Sequence, residues 1–220
     1  MPLSTFHVYS PAEFTAWIQS TAFTRHITFI QNHHTWVPGY THFNNRPNHM
    51  YWLESMRRTH INERGWADIG QNITIFPDGK IAVCRSLDKT PAGIYGANTG
   101  GICIENLGNF DTGKDAMTQA QNDSIILTNA LLCNKFSLSP NTTEVVYHHW
   151  YDRAGKRFTS EQINSGFVLR NELQKTCPGT AFFGGNTVTA AEAGFYPLIR
   201  TQIAVLQGAA PPAVNTIHKK

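Results

Sequence analysis

Three positions far apart in the chain carry side chains that bind borderline-soft metal ions. Cys177 lies in Lys175-Thr176-Cys177-Pro178-Gly179, and two histidine pairs stand upstream of it, His33-His34 and His148-His149. Each pair closes an apolar run that reads as a β-strand. One histidine from each pair plus Cys177 makes a three-ligand set that leaves one position of a tetrahedral Zn²⁺ open. An open position holds a water and lowers its pKa to about 7, chemistry suited to hydrolysis. Zinc requires a thiolate and neutral imidazoles, which only a folded scaffold brings together. A strand end is a good support, being rigid and opening onto a cleft, and His33 and His148 both sit at one. Pro178-Gly179 reads as a turn that leaves the Cys177 sulfur exposed at a loop. Histidine pairs are more often structural than metal-binding, and a lone cysteine is usually a small buried hydrophobe. The bare pattern therefore does not decide for a metal.

The elements that would position these residues are legible in part. Ser10-Pro11-Ala12-Glu13 reads as a capping box with proline at the first helical position, opening a helix to about Thr21. His26 to Asn32 alternates and is β-branched, a strand ending at His33. A loop follows, carrying Pro38, Gly39 and Pro47. Asn48 caps a helix to about Glu63, with Met50, Leu53, Met56 and Ile61 roughly on one face. Gly65 to Arg85 reads as a hairpin around a Pro-Asp-Gly-Lys turn. Gly100 to Leu107 and Val145 to His148 read as strands. Thr118 caps a long helix through Phe136, Ser160 opens a helix reaching roughly Glu172, and Thr189-x-x-Glu192 caps the last helix, which ends near Gly208. Residues 209–220 read as a flexible tail. Strands interspersed with helices imply an α/β fold: a single domain with a central mixed β-sheet flanked by helices.

Composition narrows the function. The chain has 220 residues, 41% of them hydrophobic, enough for one core without disulfide support. Its 18 basic and 15 acidic residues give a net charge of +3, and no basic run interleaves with aromatics, so nucleic acid is not an expected partner. No run of 18 apolar residues exists, so no membrane span is expected. Met1 to Ser10 lacks the charged and apolar regions of a signal peptide. Cys84, Cys103, Cys133 and Cys177 match no disulfide framework. Cys84 and Cys103 lie in neighbouring apolar segments, yet free buried thiols are the expectation.

Several segments, in order, resemble the type 2 N-acetylmuramoyl-L-alanine amidases, a zinc superfamily that includes the peptidoglycan recognition proteins. Ile27-Thr28-Phe29-Ile30 leading to His33-His34-Thr35 resembles the family's first strand, whose terminal His-His-Thr carries the first ligand on its first histidine. Gly65-Trp66-Ala67-Asp68-Ile69-Gly70-Gln71-Asn72, then Pro77 to Arg85, resembles its hairpin. Thr90-Pro91-Ala92-Gly93 resembles its His-Ala-Gly segment. Gly101-Ile102-Cys103-Ile104-Glu105 resembles its Ile-Gly-Ile-Glu strand, and Lys175 to Gly179 its closing Lys-x-Cys-Pro-Gly. The matches run from about residue 26 to 180.

The resemblance implies an amidase type 2 fold over residues 1–208 and one Zn²⁺ per chain held by His33, His148 and Cys177. His149 is the other candidate for the second ligand; the family's use of the residue right after the strand favours His148. It implies Glu105 as the catalytic base and Lys175 as the cation that meets negative charge on the substrate carbonyl. The implied activity is cleavage of the amide between N-acetylmuramic acid and L-alanine in peptidoglycan. The alternative is a non-catalytic muropeptide-binding module of the same fold. Two departures stand out. Residues 150–174 form an insertion between the second and third ligands, expected to carry its own helix and border the cleft. Gln71 replaces a tyrosine that many members place near the zinc water. Substrate-binding residues are unknown at this level; Trp36 and Asn72 are candidates for the cleft, and Trp150 and Tyr151 either form a sugar-stacking face or join the core. Peptidoglycan or a muropeptide is the expected partner, with an immunity or inhibitor protein as a further one for a secreted antibacterial effector. A phage lysin, such an effector and a cytoplasmic recycling enzyme all fit. The expected place of action is the cell wall in the periplasm, reached by an export route this sequence does not encode, or the cytoplasm for recycling.

Overall fold

A computed structural model describes residues 3–166 and 175–208. Among these, a six-stranded mixed sheet runs in the order β1-β4-β3-β5-β2-β6. The strands are β1 (His7–Tyr9), β2 (Phe29–His34), β3 (Ile73–Ile75), β4 (Ile81–Val83), β5 (Gly101–Asn106) and β6 (Val145–Tyr147). β1, β4 and β3 pair antiparallel; β3, β5, β2 and β6 pair parallel.

Side chains alternate across this sheet, and the alternation separates core from site. Ile30, Ile73, Ile75, Ile102 and Ile104 point to one face. There they pack with Phe14 and Ile18 of α1 (Pro11–Ser20), Ile125 and Leu132 of α4 (Gln119–Phe136), and Ile199 of α7 (Tyr196–Leu206). A second cluster, Phe43, Leu53, Met56, Phe76, Ala82 and Cys84, lies under α2 (Tyr40–Asn45) and α3 (His49–Asn62). Helices therefore cover both faces, as expected. Of the apolar face read for α3, Leu53 and Met56 are buried and Met50 is exposed.

The caps explain where the helices start. Ser10 Oγ accepts from the Glu13 N–H, and Glu13 Oε2 accepts from the Ser10 N–H at 2.7 Å, closing the capping box. Asn48 Oδ1 accepts from Tyr51 N–H at 2.9 Å, and Thr118 Oγ1 from Gln121 N–H at 3.1 Å. The final helix begins earlier than expected. Thr187, not Thr189, is its cap: Thr187 Oγ1 accepts from Ala190 N–H, and the chain passes through α6 (Val188–Ala190) and a π turn (Ala191–Phe195) into α7. Thr189 lies inside the first turn, and its N–H goes to Asn164 Oδ1.

Other boundaries also move. The first predicted strand starts at Phe29 rather than His26, because the N–H groups of both Thr28 and Phe29 go to the Gly100 carbonyl before the ladder begins. It runs on through His34. The expected loop after it contains α2, and β1 is an edge strand that three residues of alternation are too short to reveal. The helix opened at Ser160, α5, is described over Ser160–Asn164; its expected extension to Glu172 and the tail at 209–220 lie outside the described residues. All four cysteines are free and buried. No helix among the described residues is long and apolar enough to cross a membrane.

Candidate metal centre

β2 and β6 are parallel, and their pairing ends at Asn32 opposite Tyr147. The next residue on each is His33 and His148, whose ring centroids are 4.6 Å apart. This is the carboxyl end of the parallel strands, where open α/β sheets place their ligand crevices. The chain turns sharply at His148, which opens a short 3₁₀ helix, His148–Trp150. One donor atom from each of His33, His148 and Cys177 lies within 4.8 Å of the others, a spacing that can hold a metal ion.

The sequence expectation of an exposed Cys177 sulfur is wrong: Cys177 is buried. Its loop folds inward because several groups tie it down. His149 N–H donates to the Cys177 carbonyl at 2.7 Å, and His149 Nδ1 donates to the Lys175 carbonyl at 2.7 Å. Asp111 accepts from Thr176 Oγ1 at 2.9 Å and from Thr180 N–H at 3.0 Å, and Asn186 Nδ2 donates to the Thr176 carbonyl. Gly179, at φ 122°, presses against the Phe110 backbone, where a Cβ would meet the carbonyl carbon at 2.4 Å. Asp111, Asn186 and the brace made by His149 carried no sequence signal, because each acts through a long-range contact.

The electrostatics suit a cation. Burial holds His33 well below the ordinary imidazole pKa, helped by His148, His34 and Lys175. Burial, with Lys175 next, pushes His148 down to about 4. Both rings are thus neutral at pH 7, the state that ligates. Burial pushes the Cys177 thiol well up, with Glu105 adding to it, while the His34 N–H and Lys175 favour the thiolate. That N–H lies 3.3 Å from Cys177 Sγ. A buried thiolate needs a compensating positive charge, which a divalent ion between the three donors would supply. The donor set therefore fits zinc.

Glu105 is cross-strand partner to His33 on one side and to Thr74 on the other. Alternation places Gln31, His33, Cys103, Glu105 and Thr74 on the face opposite the isoleucine core. Burial raises the Glu105 carboxyl to about 7, with Lys175 and Arg64 pulling it down. Glu105 and His148 keep partial solvent contact, whereas His33 and Cys177 are buried, so the centre opens on the Glu105–His148 side. The charge of the exposed Lys175 lowers the pKa of His33, His148, Glu105 and Cys177 alike.

The remaining candidates divide. Asn72 is not a cleft residue: it is fully buried, its amide donates to the carbonyls of Ser86 and Lys89, and its Oδ1 accepts from Cys103 N–H. Trp150 and Tyr151 join the core, and Trp150 Nε1 donates to the Asn186 carbonyl. Gln71 is buried and donates to Thr74 Oγ1 at 3.0 Å. Trp36 stays exposed on the loop leaving β2. Two residues passed over by the sequence reading also shape the centre. Gln31 Oε1 lies 3.3 Å from His33 Nε2, and Asn106 Nδ2 donates to the His33 carbonyl at 2.8 Å.

Fold and site together define a single-domain α/β protein with a candidate two-histidine, one-cysteine metal centre at the ends of parallel strands. The chain belongs to the N-acetylmuramoyl-L-alanine amidase family, whose profile matches residues 23–180. It is 29% identical over 131 residues to peptidoglycan-recognition protein SC2 of Drosophila melanogaster, a match covering 58% of this chain and 56% of that protein's length. The chain thus spans little more than half of that relative. Among solved structures it is similar in fold to Drosophila PGRP-LB, at TM-score 0.55 and 21% identity over 81% of this chain and 85% of that one. A variant of PGRP-LB has been solved in complex with tracheal cytotoxin, and it matches at TM-score 0.54 and 20% identity over 80% of this chain and 86% of that one. The N-acetylmuramoyl-L-alanine amidase LysC of Clostridium intestinale matches at TM-score 0.50 and 23% identity, covering 72% and 80%.

Proposed function

We propose that this protein is a zinc-dependent hydrolase that cleaves the amide between N-acetylmuramic acid and L-alanine in peptidoglycan or its fragments. The observation that carries the reading is the convergence of His33, His148 and Cys177, with Glu105 across the ladder from His33. His33, His148 and Cys177 would hold the ion. When bound, Zn²⁺ polarises a carbonyl and lowers the pKa of water to near neutrality. Glu105 would take the proton of the attacking water and return it to the departing alanine nitrogen. Lys175 stabilises the charge that develops on the carbonyl oxygen. Asp111, Asn186 and His149 keep the Cys177 loop folded over the centre.

The second reading is a muropeptide-binding module without catalysis, supported by the likeness to a peptidoglycan-recognition protein. Mass spectrometry of muropeptides from digested sacculi, run with zinc analysis, separates the two. Peptides beginning with L-alanine are expected from the wild type. Cys177→Ser should lose both zinc and activity. Glu105→Ala should keep zinc and lose roughly 10²–10⁴ in rate. Zinc-loaded wild type that binds sacculi and releases no peptide would establish the binding reading instead.

A further inference from the structure

His33 belongs to a second donor set on the same sheet face: one atom each from His33, Cys103 and Glu105 lies within 4.8 Å of the others. Cys103 plays no part in the reaction above. It is placed by the sheet, not by a mobile loop. Cys103 and Glu105 are two residues apart on β5 and so project to the same side, and Glu105 is the ladder partner of His33. The Cys103 thiol is buried, roofed by Gly93, where a Cβ would come within 2.8 Å of the sulfur. Gln31 Oε1 sits under the same roof and lies 3.3 Å from His33 Nε2. An imidazole has two ring nitrogens, so His33 can face both donor sets.

We propose that Cys103, Glu105 and His33 form a second, weaker cation site that shuts the enzyme off when a thiophilic divalent ion is in excess. This rests on the zinc-hydrolase reading of the neighbouring centre. Thiolate, imidazole and carboxylate together select Zn²⁺ or Cd²⁺ over Mg²⁺ or Ca²⁺. On binding, the Cys103 thiol and the second ring nitrogen of His33 each release a proton to solvent, and the sulfur and the bridging imidazolate bond the ion. Glu105 then spends a carboxylate lone pair on the same ion and cannot accept a proton from water. The ion enters from the Glu105 side, the partly exposed edge of the set.

The test is Cd²⁺ titration of metal-free protein, followed by thiolate-to-cadmium absorption and equilibrium dialysis, with Zn²⁺ inhibition read in parallel. Wild type should bind a tight and a weaker equivalent, each adding a thiolate band. Cys103→Ala should lose only the weaker one, and Glu105→Gln should weaken it by about tenfold or more. Excess Zn²⁺ should inhibit wild type about tenfold and Cys103→Ala less than about twofold, with equal activity at one equivalent. Cys177→Ala should lose the tight equivalent; if it does not, the primary centre is misassigned, whatever Cys103 does. A wild type and a folded Cys103→Ala with the same cadmium count and band overturn the second site. So does a Glu105→Gln protein that keeps the weaker equivalent at full affinity.

Discussion

The backbone N–H of His149 reaches the Cys177 carbonyl at 2.7 Å, and the same residue's Nδ1 donates to the Lys175 carbonyl at 2.7 Å. Of two adjacent histidines, one faces the donor cluster and its neighbour clamps the loop that brings in the thiol. The two are therefore not interchangeable. His148→Ala should abolish tight zinc binding, whereas His149→Ala should weaken it by about 10–100-fold, the usual cost of losing an outer partner. Competition against a chromophoric chelator measures both. Equal losses would erase the division of labour.

Lys175 acts on every member of the centre. Lys175→Met should lower kcat by about 10²–10³ with a smaller change in KM, as expected for a group that meets charge only in the transition state. Lys175 also holds the Glu105 carboxyl down, so its removal lets that carboxyl rise further above 7. Glu105, as the proposed base, must be ionised to act, so the acidic limb of the kcat/KM profile should move to higher pH in the variant. A profile that stays in place would remove Lys175 from the neighbourhood of the base.

His60 offers a stability test away from the chemistry. Its Nδ1 accepts from Gly70 N–H at 3.0 Å, fixing the segment before β3 to the end of α3. Burial, then Arg64 and Arg85, lowers its pKa from 6.5 to about 4. Between those values the unfolded chain binds the proton and the folded one does not, so this contribution is complete above about pH 6.5 and is lost as pH falls toward 4. Urea midpoints should drop on acidification from pH 7 to pH 5 more steeply in wild type than in His60→Asn, whose Oδ1 can still accept from Gly70. Parallel slopes would contradict this.

Asn32 precedes the first histidine and points to the opposite face, where it exchanges two hydrogen bonds with Asn129 of α4, at 2.9 and 3.2 Å. Both residues are fully buried. Asn129→Leu leaves the Asn32 amide unpaired and should cost about 1–3 kcal/mol, read by denaturant unfolding. Changing both to leucine should recover much of that loss. A single variant as stable as wild type would show that the pair is not what anchors the end of β2.

By itself the sequence determined the materials. Period-two alternation at His26–Asn32, the strand read at Gly100–Leu107, the caps at Ser10, Asn48 and Thr118, and the Cys-Pro-Gly turn are local signals, and each survives in the structure with shifts of a few residues. The ordered series of short motifs pointed to the family that the profile matches. The tertiary structure decided everything that depends on which strand lies beside which. Parallel pairing of β2 with β5 and β6 is what sets His33 next to both His148 and Glu105. Inward folding of the loop, through contacts to Asp111, Asn186 and His149, buried a thiol that its turn alone reads as exposed. The physical reason is the same throughout. Capping and alternation act between residues a few positions apart, whereas strand register and loop burial are settled by cross-chain hydrogen bonds that no local window contains.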